Sequence, residues 1–240
     1  MSISDLSAFE GKLNIPGLPI IQFPDPLQLG PEQQIVCYSD QMDASLLYSA
    51  YLQGIFPWFN EDEGDPVLWY SPNPRFVLEP QNFHVPASLK KFLKHCPFEF
   101  TMDHCFEDVI MECSRQVRPG QNGTWIGSQI IENYTTLHHL GICHSFEAWQ
   151  DDHLAGGFFG ELIGSIFFGE SMFTKVSNSS KCVFVKFMES FIKSGGKLID
   201  CQTYTDNLAR YGAHNISREA FFKFEELYLT RKINFKFLDI

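Results

Sequence analysis

Between residues 143 and 169 the chain reads CHSFEAWQ, HLAGGFFG and LIGSIFFG, three apolar-rich segments separated by one or two residues. Joints this short suit hairpins, so residues 143–150, 153–160 and 162–169 are predicted to form an antiparallel meander, with Asp151-Asp152 and Glu161-Leu162 near its joints. Amphipathic patterns surround it. Helices are expected at about 86–95, at 104–117 with Asp103 as its cap, and at 128–140 with Gly141 as its stop. Another covers about 180–194, where Phe184, Phe187, Met188, Phe191 and Ile192 fall in helical register before Gly195-Gly196. A strand through Asp200 follows, then short helices at about 205–211 and 217–230 (Ser217 as cap) and a terminal strand at NFKFL.

The first third is less regular. Residues 1–34 are rich in Pro and Gly and are expected to be extended segments and turns. A helix begins at about 43, with Asp43 as N-cap, Leu46, Leu47, Ala50 and Tyr51 as its apolar stripe and Gly54 at its end. Residues 54–78, dense in Pro and aromatics, read as a shaped loop with short strands between two domains. The expected architecture is α+β: a small N-terminal domain over 1–76 and a larger one over 77–240 with a mixed, largely antiparallel sheet.

Composition narrows the function classes. The 240 residues include 24 Phe and are 44% hydrophobic, enough for a sizeable core. No run approaches the ~20 apolar residues of a membrane span, and the first residues lack the basic and apolar regions of a signal peptide, so no membrane partner is expected. Seven scattered Cys without a Cys-x-x-Cys pair suggest reduced thiols, and no His-x-x-x-His spacing suggests a metal; none is expected. The net charge of −11 argues against wholesale nucleic-acid binding but allows a local basic patch. SLKKFLKH, residues 88–95, offers one: Leu89, Phe92 and Leu93 share one helical face while Lys90, Lys91 and Lys94 cluster elsewhere, which by spacing alone is a solvated face.

Five segments hold the candidate chemistry: GIFPWF (54–59), LWYSPNPR (68–75), NGTWI (122–126), FFGESMFTK (167–175) and LIDCQ (198–202). Alternation along the last puts Asp200 and Gln202 on one face and Ile199 and Cys201 on the other. Each segment alone has a plain explanation: Trp58 and Trp69 can pack a seam, Glu170 can cap a turn, Asp200 can tie down a loop, Cys201 can fill the core, and His144 can be a hydrogen-bonded sheet residue.

Taken in order, with HSFEAW, GGFFG and GGKLIDCQ, these segments closely resemble the leucyl/phenylalanyl-tRNA–protein transferases from about Leu46 to Leu227, FPWF and GESMF…KLIDCQ being the most specific. The resemblance implies a cytoplasmic enzyme that uses no cofactor, ATP or metal. It would move Leu or Phe, less readily Met, from Leu-tRNA or Phe-tRNA to the N-terminal Lys or Arg of an acceptor protein, marking it for degradation. It also implies a larger domain like the GNAT (acyl-CoA N-acyltransferase) fold. By match to the family, Phe158, Phe167, Met172 and Ile199 form the side-chain pocket, Trp58 and Trp125 pack on the terminal adenosine, and Asp200, Gln202 and Glu170 serve catalysis or the acceptor cation. Lys90, Lys91 and Lys94 become an acceptor-stem contact. No DNA partner is implied, and a monomer is expected.

The chain departs from the family at several places. Ser39-Asp40-Gln41-Met42 stands where Gly-Gly-Asp-Leu is usual, and Phe158 where Met is common. Thr205 and Asn207 replace Asn and His after DCQ, and Arg210-Tyr211 precedes Gly212-Ala213 where Ser-Leu is common. Three rivals stand against this reading, of which a purely structural protein leaves the aromatic-Pro loops and GESMF unexplained. An acyl-CoA-dependent GNAT enzyme would need a pyrophosphate turn of the Gln/Arg-x-x-Gly-x-Gly/Ala type, which TKVSNSSKC (174–182) lacks. A catalytically inactive RNA- or peptide-binding relative is opposed by the retained Glu170, Asp200 and Gln202.

Overall fold

A computed structural model describes residues 13–116 and 124–238. In chain order the strands and helices are β1 (Ile35–Ser39), α1 (Ala44–Tyr51), β2 (Phe56–Trp58), β3 (Val67–Tyr70), β4 (Arg75–Leu78), α2 (Ala87–Leu93), β5 (Glu99–Met102), α3 (Phe106–Ser114) and α4 (Ser128–His139). There follow β6 (Cys143–Gln150), β7 (His153–Ile163), β8 (Ile166–Thr174), α5 (Ser179–Lys193), β9 (Leu198–Asp200), α6 (Asp206–Ala209), β10 (His214–Ile216) and α7 (Arg218–Tyr228).

They build two sheets. The first is three-stranded, in the order β1-β3-β2, and the second seven-stranded, in the order β10-β4-β9-β8-β7-β6-β5. Every pair in the larger sheet is antiparallel except β8 and β9, which α5 connects in parallel. The α+β expectation with a mixed, largely antiparallel sheet therefore holds. The chain passes from the small sheet to the large one between β3 and β4.

Alternation along the strands feeds two apolar layers. Phe159, Phe168 and Phe173 enter one layer with α1, α3, α4 and residues of the N-terminal segment. Phe158, Phe167 and Ile199 enter the other with α5 and α2. On α5 the expected stripe meets the sheet: Phe187 packs at 4.7 Å from Phe146 and 4.5 Å from Phe167, centroid to centroid. Asp43 caps α1 by accepting a bond from the Leu46 amide, and Ser217 caps α7 by accepting one from Ala220.

Four expectations are corrected. Asp103 does not cap α3: at φ 56° it accepts from the Ser145 amide and pairs with His144 at 2.7 Å. Ile192 leaves the buried stripe and is 40% exposed, because the fifth position of that register rotates off the sheet. NFKFL is irregular rather than a strand, although Phe235 and Phe237 still pack on Phe146. The second joint of the meander lies later than expected. β7 runs through Glu161 to Ile163, and the turn falls at Gly164, whose φ of 62° suits glycine and whose added Cβ would strike the Leu229 carbonyl. Glu161 is consequently a buried strand residue.

Candidate active site

Where β8 and β9 run side by side, a cavity of about 290 Å³ opens between the two sheets. Phe158, Phe167, Met172, Phe184 and Ile199 form its apolar floor, and Trp58 and Trp125 stand on its other side. Trp58 is 41% exposed and leans on Tyr70 at 5.7 Å. Trp69, by contrast, is fully buried; its indole N–H donates to the Ser39 hydroxyl and its ring meets Phe23 edge-on.

Glu170, Asp200 and Gln202 give the cavity its polar wall. Asp200 ends β9, is fully buried and stands opposite Val77 of β4, which puts Arg75, two residues earlier on β4, on the same face. The Arg75 guanidinium donates to Asp200 twice, Nε to Oδ1 at 2.9 Å and Nη2 to Oδ2 at 2.5 Å, and Nη1 donates to the Gly54 carbonyl. Its plane lies between the rings of Phe56 and Phe221, 4.9 and 4.3 Å from their centroids. The Asp200 carboxylate is thus already committed to a buried, bidentate partner.

Gln202 sits just past the strand at φ 61°, so the strict strand alternation expected across LIDCQ stops at Asp200. Cys201 also borders the cavity, although it is only 8% exposed. Two bonds hold the Gln202 turn. Its backbone N–H donates to Asp200 Oδ1 at 2.9 Å, and its side-chain Nε2 donates to Glu170 Oε1 at 2.6 Å. The carboxylate also orients the amide: the nitrogen must face Glu170, which leaves the carboxamide oxygen as the free acceptor.

Glu170 is the titrating member of the group. Burial pushes its carboxyl up to about 7, while bonds from Tyr51, Gln202 and Tyr134 pull the other way and the Asp200 charge adds to the rise. The Tyr134 hydroxyl donates to Glu170 Oε2 at 3.0 Å and lies 2.5 Å from the Tyr51 hydroxyl. Burial holds both phenols well above their ordinary values, so they stay protonated donors.

The structure therefore brings together Asp200, Gln202, Glu170, Phe158, Phe167, Met172, Ile199, Trp58 and Trp125 around one cavity. Lys90, Lys91 and Lys94 do not border it; they are exposed on α2. A second cavity of about 220 Å³, lined by Leu89, Phe92, Lys181 and Arg210, lies between α2 and the first and shares Asn207 with it. No group of three or more His, Cys, Asp and Glu suited to a metal occurs among the described residues. Arg75, Tyr51 and Tyr134 were not anticipated. A lone Arg opening the apolar run RFVL is the available sign for the first; the helical pattern marks Tyr51 only as part of a buried stripe and gives Tyr134 no sign at all.

Comparison with known proteins decides the family. The profile described as leucyl/phenylalanyl-tRNA protein transferase matches residues 77–226, and that of its N-terminal domain matches residues 40–73. This chain belongs to that family. Leucyl/phenylalanyl-tRNA–protein transferases from Myxococcus xanthus and Anaeromyxobacter sp. (strain K) are 46% and 45% identical to it, over 83% of this chain and 84% of each relative. The transferase of Yersinia pestis (strain Pestoides F) is 42% identical over 83% of both chains. Among solved structures, a conserved protein of unknown function from Staphylococcus epidermidis aligns at a TM-score of 0.41, with 9% identity over 75% of this chain and 66% of that one. The family and its curated relatives make this chain an aminoacyltransferase.

Proposed function

We propose that the cavity holds the Leu or Phe side chain and 3′ end of Leu-tRNA or Phe-tRNA (Met less readily) while the α-amine of an acceptor beginning with Lys or Arg attacks the ester. The observation that carries this is the cavity itself: an apolar floor of the right kind for one large side chain, bordered by Glu170 and the oriented carboxamide of Gln202. An apolar pocket discriminates by only ~1–3 kcal/mol per methylene, which suits several large apolar side chains. Phe158 narrows the floor from one side, stacked on Phe146 at 4.8 Å.

The chemistry asks little of a base. The α-ammonium, with an ordinary pKa of about 7.7–8.0, loses one proton at a cost of about 1 kcal/mol at neutral pH. Its nitrogen then forms the C–N bond as the ester C–O bond breaks; a second proton passes to the departing ribose oxygen, and one remains on the new amide. Positioning can supply roughly 7–11 kcal/mol and dominates. Gln202 contributes to it by accepting an amine hydrogen on its carboxamide oxygen. Asp200, held by Arg75 and holding the Gln202 amide, acts as an orienting anion rather than as the base. Glu170 faces the acceptor, taking the first proton or the cationic side chain.

Trp58 and Trp125 stack on the terminal adenosine, worth ~1–3 kcal/mol per base. Lys90, Lys91 and Lys94 form no ion pair among the described residues and meet phosphates of the acceptor stem. The same proposal carries a small domain over 1–76, a GNAT-like domain over 77–240, a monomeric state, a cytoplasmic setting and a role in marking acceptors for degradation.

Purified protein incubated with radiolabelled Leu-tRNA or Phe-tRNA and peptides beginning with Lys, Arg or Ala tests it. Label on the Lys and Arg peptides alone is expected. Binding of charged tRNA without transfer would instead leave an inactive relative that kept only its grip.

A further inference from the structure

Several buried acids lie outside the site, Glu161 among them. Glu161 lies in β7, opposite Cys143 of β6 and Phe168 of β8. Parity places it between Phe159 and Ile163, both members of the apolar layer under α3 and α4. It is fully buried, and neither carboxyl oxygen is recorded as accepting a hydrogen bond from a donor group among the described residues. An isolated carboxylate in such a place would cost many kcal/mol, so the group is held as the neutral acid. A neutral acid carries an O–H, and a buried donor without a partner is itself unfavourable.

The groups around it can be named element by element. β6 presents the Cys143 thiol directly across from Glu161, and β8 presents Glu170, the extra residue where the β7–β8 register shifts between Gly160↔Gly169 and Phe159↔Ser171, with its carboxyl turned to Tyr134 in the same layer. From α1 and α4 come the Tyr51 and Tyr134 hydroxyls, which already serve each other and Glu170. α3 adds Cys113 to the same layer. Behind Cys143, His138 and Asp103 face each other at 3.6 Å, and His138 also bonds the Cys143 carbonyl. On β9, Asp200 acts on Glu170 but is taken up by Arg75; Glu225 of α7 lies by Arg75 and Asp200. Of these, Glu170 is the one anionic acceptor beside Glu161 that also reaches the cavity.

We propose that Glu161 is a positioning residue: a neutral carboxylic acid that lends its proton to Glu170, so that the pair carries one charge and Glu170 stays anionic when the acceptor amine arrives. This rests on the assignment of Glu170 to the acceptor side. Two carboxyls sharing one proton ionise in separated steps, the first eased by the bond from the neutral partner. Burial and the Glu170 charge together hold Glu161 well above the ordinary carboxylate range, in keeping with its role as the protonated member. The device supports an anion in a dry site without a second cation there.

The test compares wild type with Glu161→Val, which fills the space without a donor, and Glu161→Gln, which retains one. Transfer would be measured as kcat/KM for the acceptor peptide against pH. In Glu161→Val the acid limb is expected to move up by about one pH unit, roughly tenfold in rate below Glu170's midpoint, with the plateau unchanged. Glu161→Gln should retain the wild-type limb. Infrared spectra at a pH where Glu170 is ionised should hold a carboxylic-acid C=O band that both Glu161 variants lose and that shifts in Glu170→Gln; a separate band from Glu225 stays. The infrared measurement needs no turnover, so it stands even if the assigned transfer fails. Unmoved limbs in both variants, a shift to lower pH, equal shifts in Val and Gln, or no band dependent on Glu161 would each overturn the proposal. A purely structural acid would instead leave the pH profile alone while Glu161→Val melted higher.

Discussion

Asp200→Asn separates an orienting anion from a catalytic base. The substitution preserves shape but removes the charge facing Arg75, whose guanidinium is 1% exposed and also held by the Gly54 carbonyl. Breaking one side of a buried ion pair costs about 3–5 kcal/mol, because the remaining charge is left without compensation. The lower end applies here. Glu225 is fully buried beside Arg75, and burial holds its carboxyl well above the ordinary range; it can ionise and replace part of the lost charge. A loss of ~3 kcal/mol in a chain of this size lowers Tm by roughly 6–12 °C. The same variant should lose transfer, because Asp200 Oδ1 no longer fixes the Gln202 turn as a charged acceptor. The assay is a thermal melt alongside single-turnover transfer, repeated with Arg75→Met combined with Asp200→Leu. That double variant should recover most of the stability, since apolar replacement of a buried pair is often neutral, but not the transfer. If Asp200→Asn melted within about 2 °C of wild type while losing transfer, the pair would not be the frame, and the assignment of Asp200 as an orienting anion would fail.

Met172→Ala opens the partly exposed side of the pocket and should raise KM for Leu-tRNA by roughly 10–200-fold with little change in Tm, read by steady-state kinetics. Combined Lys90, Lys91 and Lys94→Ala should weaken charged-tRNA binding and flatten its salt dependence by up to about three units in the log–log slope; an unchanged slope measured by filter binding would remove these lysines from the interface. Glu170, with a folded value of about 7 against 4.5 as the ordinary one, holds more protons folded than unfolded between those limits. Stability should therefore fall as pH rises from 4.5 to 7, and Glu170→Gln should flatten that part of the Tm–pH curve; a curve identical to wild type would contradict it.

Local pattern was enough for much of the scaffold. CHSFEAWQ is β6 residue for residue, and the Phe184-Phe187-Met188-Phe191 stripe, the Asp43 and Ser217 caps and the Gly141 stop all stand where spacing and residue type put them. These are short-range features, decided by backbone sterics and by which face turns to the core. The wording GESMF…KLIDCQ likewise marks the family within the sequence alone. The turn after β7 was misplaced for a related reason: a glutamate beside a glycine-rich run reads as a hairpin joint, and only the packed sheet reveals that Glu161 runs on inside.

What the tertiary structure decided are the charges that meet across the sheet. Arg75 and Asp200 are 125 residues apart, and Gln202 and Glu170 are 32 apart; no periodicity links them. Their pairing follows from β4 lying antiparallel to β9 and β9 parallel to β8, an order set by how the whole chain buries its apolar faces. Sequence determined that a carboxylate and a carboxamide would end a strand near an aromatic pocket. Only the fold determined that one carboxylate would be neutralised by a buried arginine and another left to titrate near neutrality, because desolvation and partner distance are properties of the assembled core.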